Sequence, residues 1–175
     1  PGTYTLSDLV PTRTGYTFAG WNRNPEGTGD NFEAGSQFTT GALNETLYAK
    51  WTPEPYNILY YEAVGEVNDI NGLNQITING APTSYTILDE VTLPALPAKD
   101  GYTATGWYSQ WCVFENQENT QYWAGCTPTT GHNAGYYGHA NYIVKYTLNT
   151  PVTPDPEPGE CVTIFEAKAT SKTAF

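Results

Sequence analysis

The 175-residue chain contains no methionine, two histidines and only seven lysines and arginines together. Eighteen aspartates and glutamates give it a formal net charge of −11. Because such a chain repels a phosphate backbone, nucleic acid is not expected as a partner. No apolar run reaches the length that a transmembrane helix needs, so membrane insertion within this segment is not expected either.

Recognisable motifs of catalysis are missing too. The sequence has no Gly-x-Ser-x-Gly elbow, no His-Glu-x-x-His pair and no phosphate-binding glycine loop that leads into a helix. It therefore predicts that the protein is not an enzyme, and no cofactor is expected.

Three cysteines are an odd number, and two of them lie near the two histidines. Cys112, Cys126, His132 and His139 could together ligate zinc, but structural zinc sites use closer cysteine pairs than these two, which lie fourteen residues apart. A disulfide between Cys112 and Cys126 is favoured in an oxidising compartment, and no metal is expected. Cys161 would then be free or would pair with another chain.

The residues that are abundant favour strands and turns. The chain has 14 tyrosines, 17 glycines and 13 prolines, together with many threonines and asparagines. Aromatic and β-branched side chains suit a pleated, half-buried surface, whereas glycine, proline and asparagine suit turns. The composition predicts a mainly β protein.

Three sequence blocks occur twice in the same order. The paired ranges are 4–11 with 91–97, 14–21 with 100–107, and 47–51 with 142–146. The central block opens with a glycine turn and continues as a strand, which would place Tyr16 and Phe18 on one face and Trp21 on the other. The glycine before each tryptophan allows another group to pack closely. The chain thus holds two copies of one unit, the second enlarged.

The sequence P-T-R-T-G-Y-T-F-A-G-W at 11–21, closed by L-Y-A-K-W at 47–51, resembles the Listeria–Bacteroides repeat, the internalin B-repeat family of bacterial surface proteins. The resemblance is specific in 3–51 and partial in 56–146. It implies small β-grasp-like modules, found in arrays on secreted or wall-attached proteins, that act as spacer or adhesive segments. It implies no catalytic residues.

The predicted organisation is two tandem β-grasp-like modules followed by a lone strand. Its segments are module 1 at 1–52, a joint at 53–55, module 2 at 56–149 with a long aromatic-rich insert at 108–140, a proline-rich linker at 150–160 and a C-terminal strand at 161–175. The linker should be extended and semi-rigid, with a length of roughly 30 Å. Within module 2, Ile76–Gly80 predicts a strand that enters an Asn-Gly turn, with Tyr85–Leu88 returning.

Module 1 is expected to lack the opening strand of its family, whereas the sequence at 162–167 aligns with the opening strand 58–63 of module 2. Two explanations stay open. The chain is an excerpt cut out of phase with a longer array, or the tail strand, with Val162, Ile164 and Phe165, completes module 1 of the next subunit head to tail. An open head-to-tail contact of this kind builds a filament.

The insert is rich in aromatic residues and amides. Its candidate binding residues are Trp111, Tyr122, Trp123, Tyr136 and Tyr137. Aromatic faces beside amides suit a glycan or a protein receptor, but the same rings can build a small core around the disulfide. The leading expectation is a structural or adhesive segment at the cell surface, whose partners are its own copies or adjacent repeats. The alternative is a glycan- or receptor-binding adhesin module.

Overall fold

The computed structural model describes residues 2–41, 44–65, 72–112, 123 and 125–150. The described chain is mainly β, as the composition predicts, and its strands form several small sheets. A 3₁₀ turn lies at Gln110–Cys112. The described residues include no helix with the length and apolar character to cross a membrane.

The first five strands, here called the N-terminal unit, pair with one another and with no other strand among the described residues. Their bounds are β1 Gly2–Thr5, β2 Tyr16–Asn22, β3 Asn31–Phe32, β4 Gln37–Thr40 and β5 Tyr48–Pro53. Strand β1 pairs antiparallel with β4, and a second sheet has the order β3-β2-β5. Both β3 and β5 are antiparallel to the central strand β2.

The remaining strands form the C-terminal unit. Their bounds are β6 Tyr56–Val64, β7 Asn74–Ile76, β8 Ser84–Tyr85, β9 Val91–Thr92, β10 Tyr102–Ser109, β11 Gly131–His132 and β12 Ala140–Leu148. The main sheet has the order β10-β12-β6-β7, with β8 also on β6, and β9 pairs with β11. Strand β12 is antiparallel to β10 but parallel to β6.

The repeat in the sequence is also a repeat of backbone hydrogen bonds. Leu6 N–H donates to the Ser36 carbonyl at 2.9 Å, and Leu93 N–H donates to the Thr130 carbonyl at 2.8 Å. At the other end of the unit, Glu54 N–H donates to the Gly15 carbonyl, and Asn149 N–H donates to the Gly101 carbonyl, both at 2.9 Å. Strands β1, β2, β4 and β5 therefore correspond to β9, β10, β11 and β12. Residues 131–132, which the sequence analysis assigns to the insert, make the same kind of pairing as β4.

A β-bulge changes the expected alternation of β2. The register between β2 and β5 shifts between Phe18 and Trp21, so both rings meet on one face with centroids 5.3 Å apart. The expectation that Trp21 lies on the opposite face is therefore wrong, because the bulge adds one residue to the strand. Gly20, at φ +106, sits at the bulge, and a Cβ there would lie 2.8 Å from the Phe32 carbonyl oxygen. The predicted close approach before the tryptophan is confirmed.

The Asn-Gly turn forms, but its expected hairpin does not. Ala81 N–H donates to the Ile78 carbonyl at 3.2 Å, and Gly80 has φ +77. Strands β7 and β8 on either side of this turn both pair with β6 instead of with each other. The long strand β6 thus takes up the backbone groups that a two-stranded hairpin would have paired.

The buried apolar side chains of the described residues all belong to the C-terminal unit. Ile143 and Val144 of β12 have no exposed surface, and Val144 lies in one core cluster with Trp107 and Tyr146. The N-terminal unit has no fully buried apolar side chain among its described residues. Its buried Asn22 instead holds a loop, because the side-chain oxygen accepts from Asn24 and Gly29 N–H groups at 2.8 and 3.0 Å.

Candidate binding cavity and open strand edge

A cluster of rings surrounds His132 in the C-terminal unit. The imidazole stacks on Tyr136 with ring centroids 4.6 Å apart and lies 4.4 Å from the ring of Tyr85. Its Nδ1 atom is hydrogen-bonded to the hydroxyl of Tyr142 on β12. These contacts come from β8, β11, β12 and the loop before β12, so the cluster forms only when the strands have assembled.

Strand β11 can approach β9 only because it begins with glycine. A Cβ at Gly131 would lie 1.8 Å from the Val91 carbonyl oxygen, which no side chain could tolerate. The close approach fixes the position of the next residue, His132.

A cavity of about 130 Å³, here called the insert cavity, lies beside this cluster. It is bordered by residues of the 3₁₀ turn, β11, β12 and the preceding loop, among them Gln110, Trp111, His132, Tyr136, Asn141 and Tyr142. None of the described residues that border it carries a carboxylate. The cavity is smaller than the pockets of about 300–1,000 Å³ that hold drug-sized ligands, so it suits a single small ring.

Two buried polar atoms beside the insert cavity have no hydrogen-bond partner in the described structure. They are Nε2 of His132 and Oδ1 of Asn141. The amide nitrogen of Asn141 donates to the Gln110 side chain at 2.8 Å, which fixes its orientation. Leaving a buried polar group unpaired costs about 1–3 kcal/mol, so two such atoms at one cavity are unusual in a folded protein. They make the insert cavity a candidate site for a polar ligand.

Burial keeps the groups of this cluster uncharged. Desolvation lowers the pKa of His132, so its imidazole is neutral at pH 7. Desolvation, with smaller contributions from Tyr136 and Tyr56, raises the pKa of Tyr85 to about 12. The pKa of Tyr142 is raised for the same main reason. A neutral polar ligand therefore suits the insert cavity better than an ion.

The lowered pKa of His132 predicts a dependence of stability on pH. Below the ordinary pKa of 6.5, the unfolded chain takes up a proton that the folded chain resists. The free energy of unfolding should therefore be unaffected by His132 above this pH and should decrease as the pH falls from 6.5 toward the lowered pKa. Tyr85, Tyr136 and Tyr142 face the ring, and Glu90 borders a neighbouring cavity beyond β11.

Urea titrations across this pH range measure the effect. His132→Gln should flatten the decrease, whereas His139→Gln, which leaves the His132 cluster intact, should retain it. An equal slope in wild type and His132→Gln would contradict the assignment.

The disulfide holds the outer wall of the insert cavity. Cys112 ends the 3₁₀ turn and is bonded to Cys126, and Cys112 is buried against Ala63 and Ile143. Trp111, one residue earlier, is 54% exposed at the mouth of the cavity. Because both sulfurs are in the disulfide, they are not available as zinc ligands. The part of the chain that the structure describes contains no group of three or more side chains that could hold a metal ion.

The structure separates the predicted binding residues. Trp111 and Tyr136 border the insert cavity, whereas Tyr137 does not and is 60% exposed. Trp123 packs beside the disulfide and against Tyr108, with ring centroids 5.3 Å apart. Tyr122 lies outside the described residues, as do Cys161 and the predicted assembly residues Val162, Ile164 and Phe165. Their predicted roles remain predictions.

Sequence reasoning did not single out Gln110 and Asn141 as functional residues, and it considered His132 only for zinc. The aromatic residues near them in the sequence were the signal that could have pointed to this region. Nothing local in the sequence shows that β11 and β12 bring His132 and Asn141 to one cavity.

A second feature of interest is the outer edge of β5. In the C-terminal unit, the corresponding strand β12 lies between β10 and β6, and its parallel register with β6 runs from Ala140–Ile58 to Tyr146–Val64. In the described residues, β5 pairs with β2 alone. Where β12 has a partner on each side, β5 has an edge without a partner strand among the described residues, here called the open edge of β5.

Two aromatic side chains of β5 are more exposed than their counterparts in β12. Tyr146 is 2% exposed, whereas its counterpart Trp51 is only partly buried. Ile143 is fully buried, whereas its counterpart Tyr48 is 40% exposed. An open edge with exposed aromatic residues beside it invites pairing with another strand.

The backbone of β5 directs hydrogen-bonding groups toward this edge. Glu54 N–H donates to the Gly15 carbonyl and therefore points toward β2. Because backbone groups alternate in direction along a strand, the N–H and C=O groups of Trp51 and Ala49 point away from β2. In the C-terminal unit, the Tyr146 carbonyl, at the position of Trp51, accepts from Gly65 N–H at 3.2 Å. The open edge of β5 thus has the same backbone pattern as the edge of β12 that β6 occupies.

Comparison with known proteins identifies the repeat. The profile of the Listeria-Bacteroides repeat domain matches residues 2–50 and again residues 67–131. A Gly-rich membrane protein of Evansella cellulosilytica is 36% identical over 107 residues, or 57% of this chain and 11% of that protein. Internalin H of Listeria monocytogenes is 36% identical over 100 residues, or 57% of this chain and 15% of that protein.

A further membrane protein of Evansella cellulosilytica is 51% identical over 39 residues, which are 22% of this chain and 6% of that protein. The chain thus spans between 6% and 15% of the length of these relatives. No solved structure matches. The two copies of the profile, which together cover more than half of the sequence, show that the chain belongs to the Listeria-Bacteroides repeat family.

Proposed function

We propose that the chain is a structural segment of a bacterial extracellular surface protein or fibre, in which repeat units are joined through strand complementation. The observation that carries the proposal is that the edge of β5 is open among the described residues, whereas β6 occupies the equivalent edge of β12. The disulfide supports an extracellular location, because such bonds persist in oxidising compartments. Relatives named as membrane proteins and as an internalin agree with a surface location.

The strand that fills the edge should resemble β6. In β6, Ile58 and Tyr60 are buried, whereas Leu59 between them is exposed. A strand with the same alternation, laid parallel to β5, would cover Trp51 as β6 covers Tyr146. Backbone hydrogen bonds would provide affinity, and the alternate side chains would fix the register.

The sequence at 162–167 has this alternation. In the alignment with 58–63, Val162 takes the position of Ile58, Thr163 that of Leu59 and Ile164 that of Tyr60. Apolar residues thus fall at both buried positions and a polar residue at the exposed one. We assign this segment of a neighbouring copy as the occupant of the open edge of β5, which would join copies head to tail. Head-to-tail joining that does not close a ring extends as a filament.

Assembly can be measured on three versions of the chain. The 175-residue chain should form polymers that grow with concentration in sedimentation velocity, whereas a version that ends at Pro158 should stay monomeric. Ala49→Pro removes an outward N–H group without touching the bonds to β2, so it should also block assembly. Far-UV circular dichroism shows whether the variant keeps its strands.

Cys161→Ser is the matched control, because it removes the thiol beside the tail strand and leaves the strand sequence unchanged. It should assemble like the wild type, and a loss of polymers would instead indicate cross-linking by Cys161. A full-length chain that stays monomeric, or a truncated chain that polymerises equally well, would rule out strand donation.

A further inference from the structure

We infer that the insert cavity is a binding site for one neutral sugar ring, held between Trp111 and Tyr136 and hydrogen-bonded to His132 and Asn141. The inference concerns the C-terminal unit alone and is independent of assembly through β5. It commits the aromatic insert to one site and to one class of ligand.

The volume of the insert cavity limits the size of its ligand. The cavity of about 130 Å³ is close to an engineered cavity of about 150 Å³ that holds benzene. One six-membered ring fits that volume, whereas a peptide or an oligosaccharide does not. A longer glycan could therefore enter only with its terminal ring.

The unpaired atoms define the polarity of the ligand. The Tyr142 hydroxyl and Nδ1 of His132 are hydrogen-bonded to each other. We assign the phenol as the donor, so the hydrogen of the neutral imidazole lies on Nε2. His132 then offers a donor and Asn141 an acceptor, both buried and without a partner among the described residues. Neighbouring hydroxyl groups of a sugar can accept from the first and donate to the second.

The residues that border the insert cavity also suit a neutral sugar. Trp111 and Tyr136 supply aromatic surface, on which the C–H face of a sugar ring can stack. Among the described residues, no lysine, arginine or carboxylate borders the cavity, and burial keeps the imidazole neutral. A charged sugar would lose its hydration without gaining a counter-ion, so a neutral ring is favoured over an acidic one.

The site is also fixed in place before any ligand arrives. The disulfide anchors the 3₁₀ turn that carries Gln110 and Trp111, and Gln110 orients Asn141 through a 2.8 Å hydrogen bond. On the opposite side, the packing of His132 against Tyr85 and Tyr136 holds the imidazole. Such preorganisation reduces the cost of ordering the site on binding.

The test uses the 175-residue chain and a panel of free sugars: glucose, galactose, mannose, N-acetylglucosamine and, as the acidic member, N-acetylneuraminic acid. Titrations followed by ¹⁵N–¹H NMR should show at least one neutral sugar binding in the millimolar range, with shifts at Asn141 and at the Trp111 indole. N-acetylneuraminic acid should not bind at this site.

Trp111→Ala and Asn141→Ala should each weaken that binding by about tenfold or more. Tyr137→Ala is the matched control, because Tyr137 is an equally exposed aromatic residue of the same insert outside the cavity. The inference is overturned if no neutral sugar binds, if both cavity variants bind like the wild type, or if Tyr137→Ala loses binding to the same extent. Preferential binding of the acidic sugar would overturn it as well.

Discussion

Replacing Trp107 with alanine should lower the free energy of unfolding of the C-terminal unit by about 3–5 kcal/mol. Trp107 is 4% exposed, its ring meets Tyr60 with centroids 5.4 Å apart, and its indole N–H donates to the Pro94 carbonyl at 2.8 Å. The substitution leaves a large cavity and an unpaired carbonyl together. Urea denaturation followed by near-ultraviolet circular dichroism measures the loss.

The repeat offers a matched control at the equivalent position. Trp21 is only partly buried and packs against Phe18 beside the open edge of β5. Trp21→Ala should cost about 1–2 kcal/mol, since less apolar surface returns to water. If the Trp107 variant does not fold at all, Trp107→Phe provides a milder version of the same test. Equal losses at Trp21 and Trp107 would contradict the difference in core packing between the two units.

Removal of the disulfide should have the second-largest effect. Cys112 and Cys126 close a loop over 14 positions of sequence, and constraint of a loop of this size stabilises a protein by about 3 kcal/mol. The double variant Cys112→Ala with Cys126→Ala should lose about that much stability and should release the 3₁₀ turn that carries Trp111. Thermal denaturation with and without reductant measures the first effect, and the fluorescence of Trp111 reports the second.

Cys161→Ser separates this effect from general sensitivity to reductant. The variant keeps the Cys112–Cys126 bond, so reduction should lower its melting temperature as it lowers that of the wild type. In the double alanine variant, reductant should have no further effect. A wild-type protein that melts at the same temperature in both conditions would show that the bond does not stabilise the fold.

The class of fold and the repeat could be predicted from the sequence because their signals are local. Glycines before Tyr16 and Tyr102 open turns, and the strands after them are rich in aromatic and β-branched residues. The bulge before Trp21 could not be predicted, because a glycine in a strand does not show by itself which residue the partner strand will skip. The pairing of both β7 and β8 with β6 escaped prediction for a related reason: the competition between a local hairpin and a distant strand is decided by the whole sheet.

The candidate cavity was predictable only in part. The sequence shows that Trp111 and Tyr136 belong to an aromatic insert beside a cysteine pair, but not that they share a wall with Asn141. That neighbourhood depends on the pairing of β11 with β9 and of β12 with both β10 and β6. Trp123 has the same local signal as Trp111, yet it packs beside the disulfide and contributes to the core of the insert.

The parallel pairing of β6 with β12 has a mechanical consequence. The chain enters the C-terminal unit at Tyr56 and leaves it after Leu148, and the two strands lie side by side over seven register pairs. A force that pulls the two ends apart therefore slides the strands past each other along their length. All the hydrogen bonds between them then carry the tension together and cannot be broken one at a time from one end. A surface protein built from such units resists stretching at this seam, even if the rest of each unit is only modestly stable.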